Sequence, residues 1–364
     1  MDTTTPIFSK NDNLKFFRTL NSRVNNYFKE NNLDRTGNWK LHLKTVVMFT
    51  IFLTPYFILL AMHMPIWEYL LLNVVIGVGM AGVGMNVMHD GNHGAYSSKS
   101  WVNKFMGGSI YILAGNVYNW QVQHNVLHHT YTNILGHDED LEAGRIMRFT
   151  KEAKWYKLHR FQHFYSVFLY GLLTFNWAIT TDFLQMKRYL KRNLSYGEFK
   201  KPAIRWTTLI ITKIIYFSVW IVAPLVMGIA WWKVVLGFLV MHYTAGVILS
   251  VVFQLAHVVA ETENPIPDGN GEIENTWAIH QLFTTANFAP KNWFVNYYTG
   301  GLNHQVEHHL FPNISHVHYG KIAEIVKQTA VECELPYYEF KTTRAAIISH
   351  FRHLRDLGRQ PQVA

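Results

Sequence analysis

The 364-residue sequence predicts an all-α integral membrane protein: four transmembrane helices in two hairpins, with a cytoplasmic helical cap. Three observations predict it. Long apolar runs come in two close pairs, the loops between the pairs and both chain ends are basic, and histidines gather where the runs end. Composition agrees: 49% of residues are hydrophobic and only 16% charged, against ~25% charged in soluble domains. That excludes a disordered chain. The single cysteine, Cys333, excludes a disulfide scaffold and any cysteine-rich zinc or iron–sulfur site. A net charge of +9 beside aromatic-rich apolar runs fits a membrane surface, and no nucleic-acid partner is expected.

Residues 1–44 form a polar, basic N-terminal cytosolic segment without the small-residue cleavage site of a signal peptide. Leu14, Phe17, Leu20, Val24, Tyr27 and Phe28 recur at helical spacing and predict an amphipathic helix over about 12–29. It lies either on the bilayer or against the folded domain. The membrane-embedded domain takes residues 45–317. Val46–Met62 and Ile66–Met88 form its first hairpin around His63-Met64-Pro65. Thr207–Ala230 and Val234–Val259 form the second around Trp231-Trp232-Lys233, with tryptophans at the depth of an aromatic belt. Two weaker runs, Phe105–Tyr118 and Phe164–Thr180, are expected not to cross. The first is too short, and Lys and Arg flank the second on both sides. The basic loops place both termini and the middle of the chain in the cytoplasm, at a bacterial inner membrane or, in a eukaryote, the endoplasmic reticulum. Residues 318–364 read as two C-terminal cytosolic helices.

The 20 histidines are roughly twice an average share, and many of them are clustered. His89 and His93 sit in MHDGNHGA, His124, His128 and His129 in QHNVLHHTYTN, and His308 and His309 in NHQVEHHLFP. On a helix, i and i+4 share a face, which stacks His89 on His93, His124 on His128 and Gln305 on His309. Elsewhere His42, His63, His159, His163, His242, His280, His350 and His353 read as ordinary satisfied polar residues, and His137, His316 and His318 as structural. So many clustered imidazoles cannot be buried cheaply without a metal or a network of partners. Imidazole suits zinc, copper, iron and nickel. One zinc needs about three protein ligands, so the inventory exceeds a zinc site, and two irons would use it fully. Adjacent His-His pairs do not serve haem.

HDGNH, HNVLHH and QVEHH, in this order around two hairpins, resemble the three histidine boxes of the integral-membrane fatty acid desaturases. Gln305 at the head of the third box resembles the front-end desaturases and their bacterial linoleoyl-CoA desaturase-like relatives. The resemblance implies a cap carrying a di-iron site held by His89, His93, His124, His128, His129, Gln305, His308 and His309. It also implies a ligand from the last membrane helix, for which His257 is the candidate. His304, four residues before His308, could replace Gln305 by a shifted register. Asp138, Asp140 and Asp90 are assigned to orienting the histidines. The implied reaction is O₂-dependent formation of a cis double bond in an acyl-CoA or acyl-lipid chain. The head carries no cytochrome b5 motif, so electrons are expected from a separate cytochrome b5-like protein or ferredoxin. A membrane hydroxylase shares these boxes and stays open. A His-rich metal transporter would instead place ligands at mid-membrane depth.

Overall fold

The structure, a computed structural model, describes residues 5–11, 13–142, 144–194, 196 and 201–359. Helices dominate these residues: α1 (Phe16–Glu30), α2 (Trp39–Ala61), α3 (Ile66–Asn92), α4 (Ser100–Gly107), α5 (117–131), α6 (Lys157–Gly171) and α7 (Leu173–Lys191) come first. There follow α8 (Pro202–Val226), α9 (Trp231–His257), α10 (Trp277–Thr284), α11 (Trp293–Tyr298), α12 (Gln305–Leu310), α13 (Tyr319–Glu332) and α14 (Thr343–Arg359). Sheet is confined to two short parallel pairs, β1 (Ile7–Phe8) with β2 (Glu272–Ile273) and β3 (Ala286–Phe288) with β4 (Tyr338–Phe340). The chain divides into two units. One takes the residues up to Gly37, Gln123–Ser166 and those from Val252; the other takes Asn38–Val122 and Val167–Val251.

Four helices, α2, α3, α8 and α9, run 23, 27, 25 and 27 residues and are apolar enough to cross a bilayer, for which ~20 residues suffice. These are the four expected spans. Their outward faces carry exposed Val46, Phe57, Leu71 and Ile214, the surface that lipid tails cover. The first hairpin turns over 62–65, as expected. The second turns earlier than the sequence suggests, over 227–230, because Gly228 there adopts a left-handed φ of 85° open to glycine without strain. Trp231 and Trp232 therefore open α9 instead of forming the joint, and Lys233 donates to the Met64 carbonyl of the other hairpin (3.0 Å).

Small residues let these helices approach closely. A Cβ built on Gly79 would stand 2.5 Å from both the backbone nitrogen and the Cα of Phe52. We therefore expect Gly79→Leu to force α2 and α3 apart and to cost about 1–3 kcal/mol, the usual range for overpacking. Gly108→Ala, where a Cβ meets open space, should leave the melting temperature in detergent unchanged. Equal melting of the two variants would defeat the packing argument.

The short run at 105–118 is split between α4, a 3₁₀ turn over Gly108–Leu113 and the first turn of α5. Asn92 Nδ2 at the end of α3 donates to the Gly107 carbonyl (3.0 Å) and holds that run in place. The run at 164–180 is broken between α6 and α7, which meet at 53° and by length and composition are either one broken span or a re-entrant loop. Buried Asp182 of α7 and buried Lys213 of α8 pair at 2.7 Å.

In the first unit, Phe16, Leu20, Val24 and Phe28 form a fully buried i, i+4 stripe on α1. It packs on Ile279 and Leu282 of α10, Val306 and Leu310 of α12, and Ile322 and Val326 of α13. Of the two readings of the amphipathic head, the structure takes the one packed on the domain. Leu14 falls outside the stripe and is exposed. The two expected C-terminal helices are α13 and α14.

Candidate metal centre

Box one closes α3. A π-helical turn, Gly84–Met88, precedes His89, and the helix ends at His93 before Gly94, whose φ is 73°. The i, i+4 spacing brings the His89 and His93 rings edge to face at 4.6 Å, and the Trp120 indole lies edge-on to both, at 5.7 and 5.5 Å. Asp90 is buried between them in sequence and lies in the field of buried Lys44.

In box two the His124 and His128 rings stack as expected, at 5.4 Å and 22°, and a further facing pair is added. Gln121–His128 is π-helical, and a wider turn brings i+5 toward the facing position as well. His129 Nε2 accordingly stands 3.2 Å from His124 Nε2, and it also stands 3.0 Å from His308 Nε2 of box three. Nitrogens sharing one metal at ~2.0–2.1 Å stand ~3 Å apart, so these separations suit a common ion. The His124 and His308 rings stack at 5.7 Å and 17°.

His128 also faces a second group. Its ring nitrogens, with those of His257 at the end of α9 and His309 of α12, form a fully buried group whose ligand atoms lie within 4.8 Å of one another. In each of the three rings Nδ1 is already engaged. His128 Nδ1 donates to Asp138 Oδ2 (3.0 Å), His257 Nδ1 to the Thr284 carbonyl (3.3 Å), and His309 Nδ1 to Gln281 Oε1 (2.8 Å). With the proton on Nδ1, each Nε2 carries a lone pair, and none of the three Nε2 atoms makes a hydrogen bond among the described residues. Three buried, inward lone pairs whose opposite nitrogens are anchored are what a metal-ligating histidine set requires. The residues fit a metal.

Electrostatics agrees. Burial and the surrounding imidazoles of His129, His128, His257 and His124 hold His309 well below the usual histidine range, so it is neutral. Burial alone would raise Asp138, but His128 and the N–H groups of Asn133 and Asp140 hold it below the usual carboxylate range. Asp140 Oδ2 lies 3.3 Å from His128 Nδ1, and its Oδ1 accepts from Gln123 (2.6 Å).

Gln305 is fully buried and neither amide atom has a hydrogen-bond partner among the described residues. His304 precedes α12 as its N-cap, with Nδ1 3.6 Å from Glu307 Oε2. That carboxylate is fixed by Asn287 (2.8 Å) and Tyr337 (3.0 Å). Neither Gln305 nor His304 belongs to the groups that converge on a common point. Of the histidines read as ordinary, His242 sits between Tyr216 Oη (2.7 Å) and Thr174 Oγ1 (2.9 Å), and His280 Nε2 donates to the Thr132 carbonyl (2.8 Å).

Sequence reasoning missed Thr132, Asn133, Gln281 and Glu307. Asn133 takes a left-handed φ of 59° and donates to the His257 and Glu263 carbonyls, tying box two to the end of α9. Gln281 is a buried amide within the apolar turns of α10. The one signal in the sequence is that polarity among apolar neighbours.

Four bilayer-length helices together with buried histidine clusters suited to metal define an integral membrane protein of the metal-binding class. The chain belongs to the fatty acid desaturase family, whose model matches residues 64–341. It is 35% identical to an sn-1 linoleoyl-lipid 6-desaturase of Arthrospira platensis, over 100% of this chain and 98% of that protein. It is 37% identical to an sn-1 linoleoyl-lipid 6-desaturase of Synechocystis sp., over 94% and 96%. It is 32% identical to an acyl-lipid (8-3)-desaturase of Mortierella alpina, over 95% and 78%. The resemblance is to front-end desaturases.

Proposed function

We propose that this membrane fatty acid desaturase acts on a linoleoyl chain esterified in a lipid and forms a cis double bond at carbon 6. The substrate reading rests on the near full-length likeness to the two linoleoyl-lipid 6-desaturases. The observation that carries the chemistry is the convergence of unpartnered Nε2 atoms of His128, His257 and His309.

His128, His257 and His309 would hold one iron, and His124, His129 and His308 would hold a second; the resemblance assigns His89 and His93 of box one to metal as well. Gln305 supplies a further ligand or orients one, with His304 retained by Glu307. Bound iron supplies O₂ activation and C–H oxidation at a position side chains alone cannot reach. In balance, two hydrogens leave adjacent carbons and, with O₂, two electrons and two protons, end as two water molecules. The protein's own part is positional: Asp138 and the Thr284 carbonyl keep the protons of His128 and His257 on Nδ1, and burial excludes bulk water. A separate cytochrome b5-like protein or ferredoxin delivers the electrons, and exposed Lys151, Lys154, Lys157, Arg160, Lys187 and Arg188 offer it positive charge. The same charges favour a cytoplasmic site and termini and a re-entrant α6–α7, giving four crossings.

Expression in a host fed linoleate tests this. The expected result is an 18-carbon triene with the new bond at carbon 6, and about two irons per purified chain. A hydroxylated product, or stoichiometric zinc, would overturn the reading.

A further inference from the structure

Gln281 links boxes two and three through a single side chain, beside the Thr132 hydroxyl, which lies 3.2 Å from His309 Nδ1 and donates to the His128 carbonyl (2.7 Å). The Gln281 carbonyl oxygen lies 2.8 Å from His309 Nδ1 and 2.9 Å from the Thr132 hydroxyl, and its amide nitrogen donates to the His129 carbonyl at 3.4 Å. The amide orientation is determined by these neighbours. Flipping it would set its oxygen against the His129 carbonyl. An amide oxygen can only accept, so His309 Nδ1 must carry the proton and Nε2 must be the open nitrogen. The residue is fully buried, so its hydrogen bonds form in a low-dielectric interior.

We propose that Gln281 is a positioning residue for the metal centre: it fixes the tautomer and ring orientation of His309, and so the direction of the Nε2 lone pair toward the ion shared with His128 and His257. This rests on the metal-binding reading above. The three histidines are thereby backed by different acceptors: a carboxylate behind His128, a main-chain carbonyl behind His257 and a neutral amide behind His309. A neutral acceptor orients the ring without adding the negative charge that a second carboxylate would bring beside Asp138.

Two near-isosteric variants separate the roles of the two amide atoms. Gln281→Glu keeps an acceptor for Nδ1 and loses the donor to the His129 carbonyl; Gln281→Met keeps the volume and loses both. Full-length protein in detergent is stripped of metal and titrated with Co²⁺ against a chelator, reading the ligand-field absorption and the stoichiometry. We expect about two Co²⁺ per wild-type chain. Gln281→Met should bind one of them ~10–100-fold more weakly, the range seen when the partner of a ligating histidine is lost. Gln281→Glu should restore both the affinity and the spectrum. If Met binds like wild type, or if Glu loses affinity as Met does, the acceptor role is wrong and the side chain serves only packing or the bond to His129. If Met does not fold, Gln281→Leu is titrated in its place, with the same weakening expected and wild-type binding there overturning the acceptor role. A wild-type chain that binds no Co²⁺ would overturn the metal reading itself.

Discussion

Replacing His128, His257 or His309 with alanine should each remove desaturation to below about 1% of wild type and lower the iron content of the purified chain. The three rings are fully buried around one point, and each offers that point a lone pair with no other partner. Weakening a residue behind a ligand costs ~10–100-fold in metal affinity or activity, and removing the ligand itself exceeds that. A contrast makes the test specific. His242 is as buried as these residues, but both its nitrogens are hydrogen-bonded, to Tyr216 and Thr174. Its alanine variant should keep the iron content and lose only stability, about 1–3 kcal/mol for the buried groups left unpaired. Iron and product are measured on the same preparations. If His257→Ala retains full iron and activity, His257 is a structural residue like His280, and the shared site of His128, His257 and His309 does not exist.

Lys213→Ala should produce the largest stability loss of any single substitution in the membrane-spanning unit. Lys213 Nζ lies 2.7 Å from Asp182 Oδ2 and also donates to the carbonyls of Ala114 (2.5 Å) and Trp177 (2.6 Å). Asp182 is buried and further held by Asn119 Nδ2 (3.1 Å). Removing the ammonium strands a buried carboxylate, which costs about 3–5 kcal/mol, a large part of the ~5–15 kcal/mol that holds a typical domain folded. Changing both partners, Lys213→Met with Asp182→Leu, should recover much of the loss, because no uncompensated charge remains. Thermal unfolding in detergent, followed by size-exclusion profile, reads the difference. A single variant within about 0.5 kcal/mol of wild type would show that the pair is not what clasps α7 to α8.

The elements set by local chemistry were legible in the sequence. Apolar runs of bilayer length need no partner to be recognised, because the hydrocarbon core fixes their length. The α1 helix showed itself by its i, i+4 stripe, and His89 and His93 by the same spacing at the end of a span. The second hairpin was misjudged because tryptophans suggested an interface, while the chain turns at Gly228, the residue that takes a positive φ there.

The sequence by itself determined the family, the spans and the identity of the clustered imidazoles, since each is written in short-range spacing and residue type. Tertiary structure decided which imidazoles face one another. The π-helical turn over Gln121–His128 changes the angle per residue, so His124 meets His129 as well as His128, and His128 also meets His257 and His309, which lie far along the chain. It also decided which nitrogen of each ring stays open, because that depends on acceptors such as Thr284 and Gln281 contributed by other elements. A hydrogen bond between residues dozens to hundreds of positions apart leaves no periodic trace in the chain, so its geometry exists only once the helices have packed.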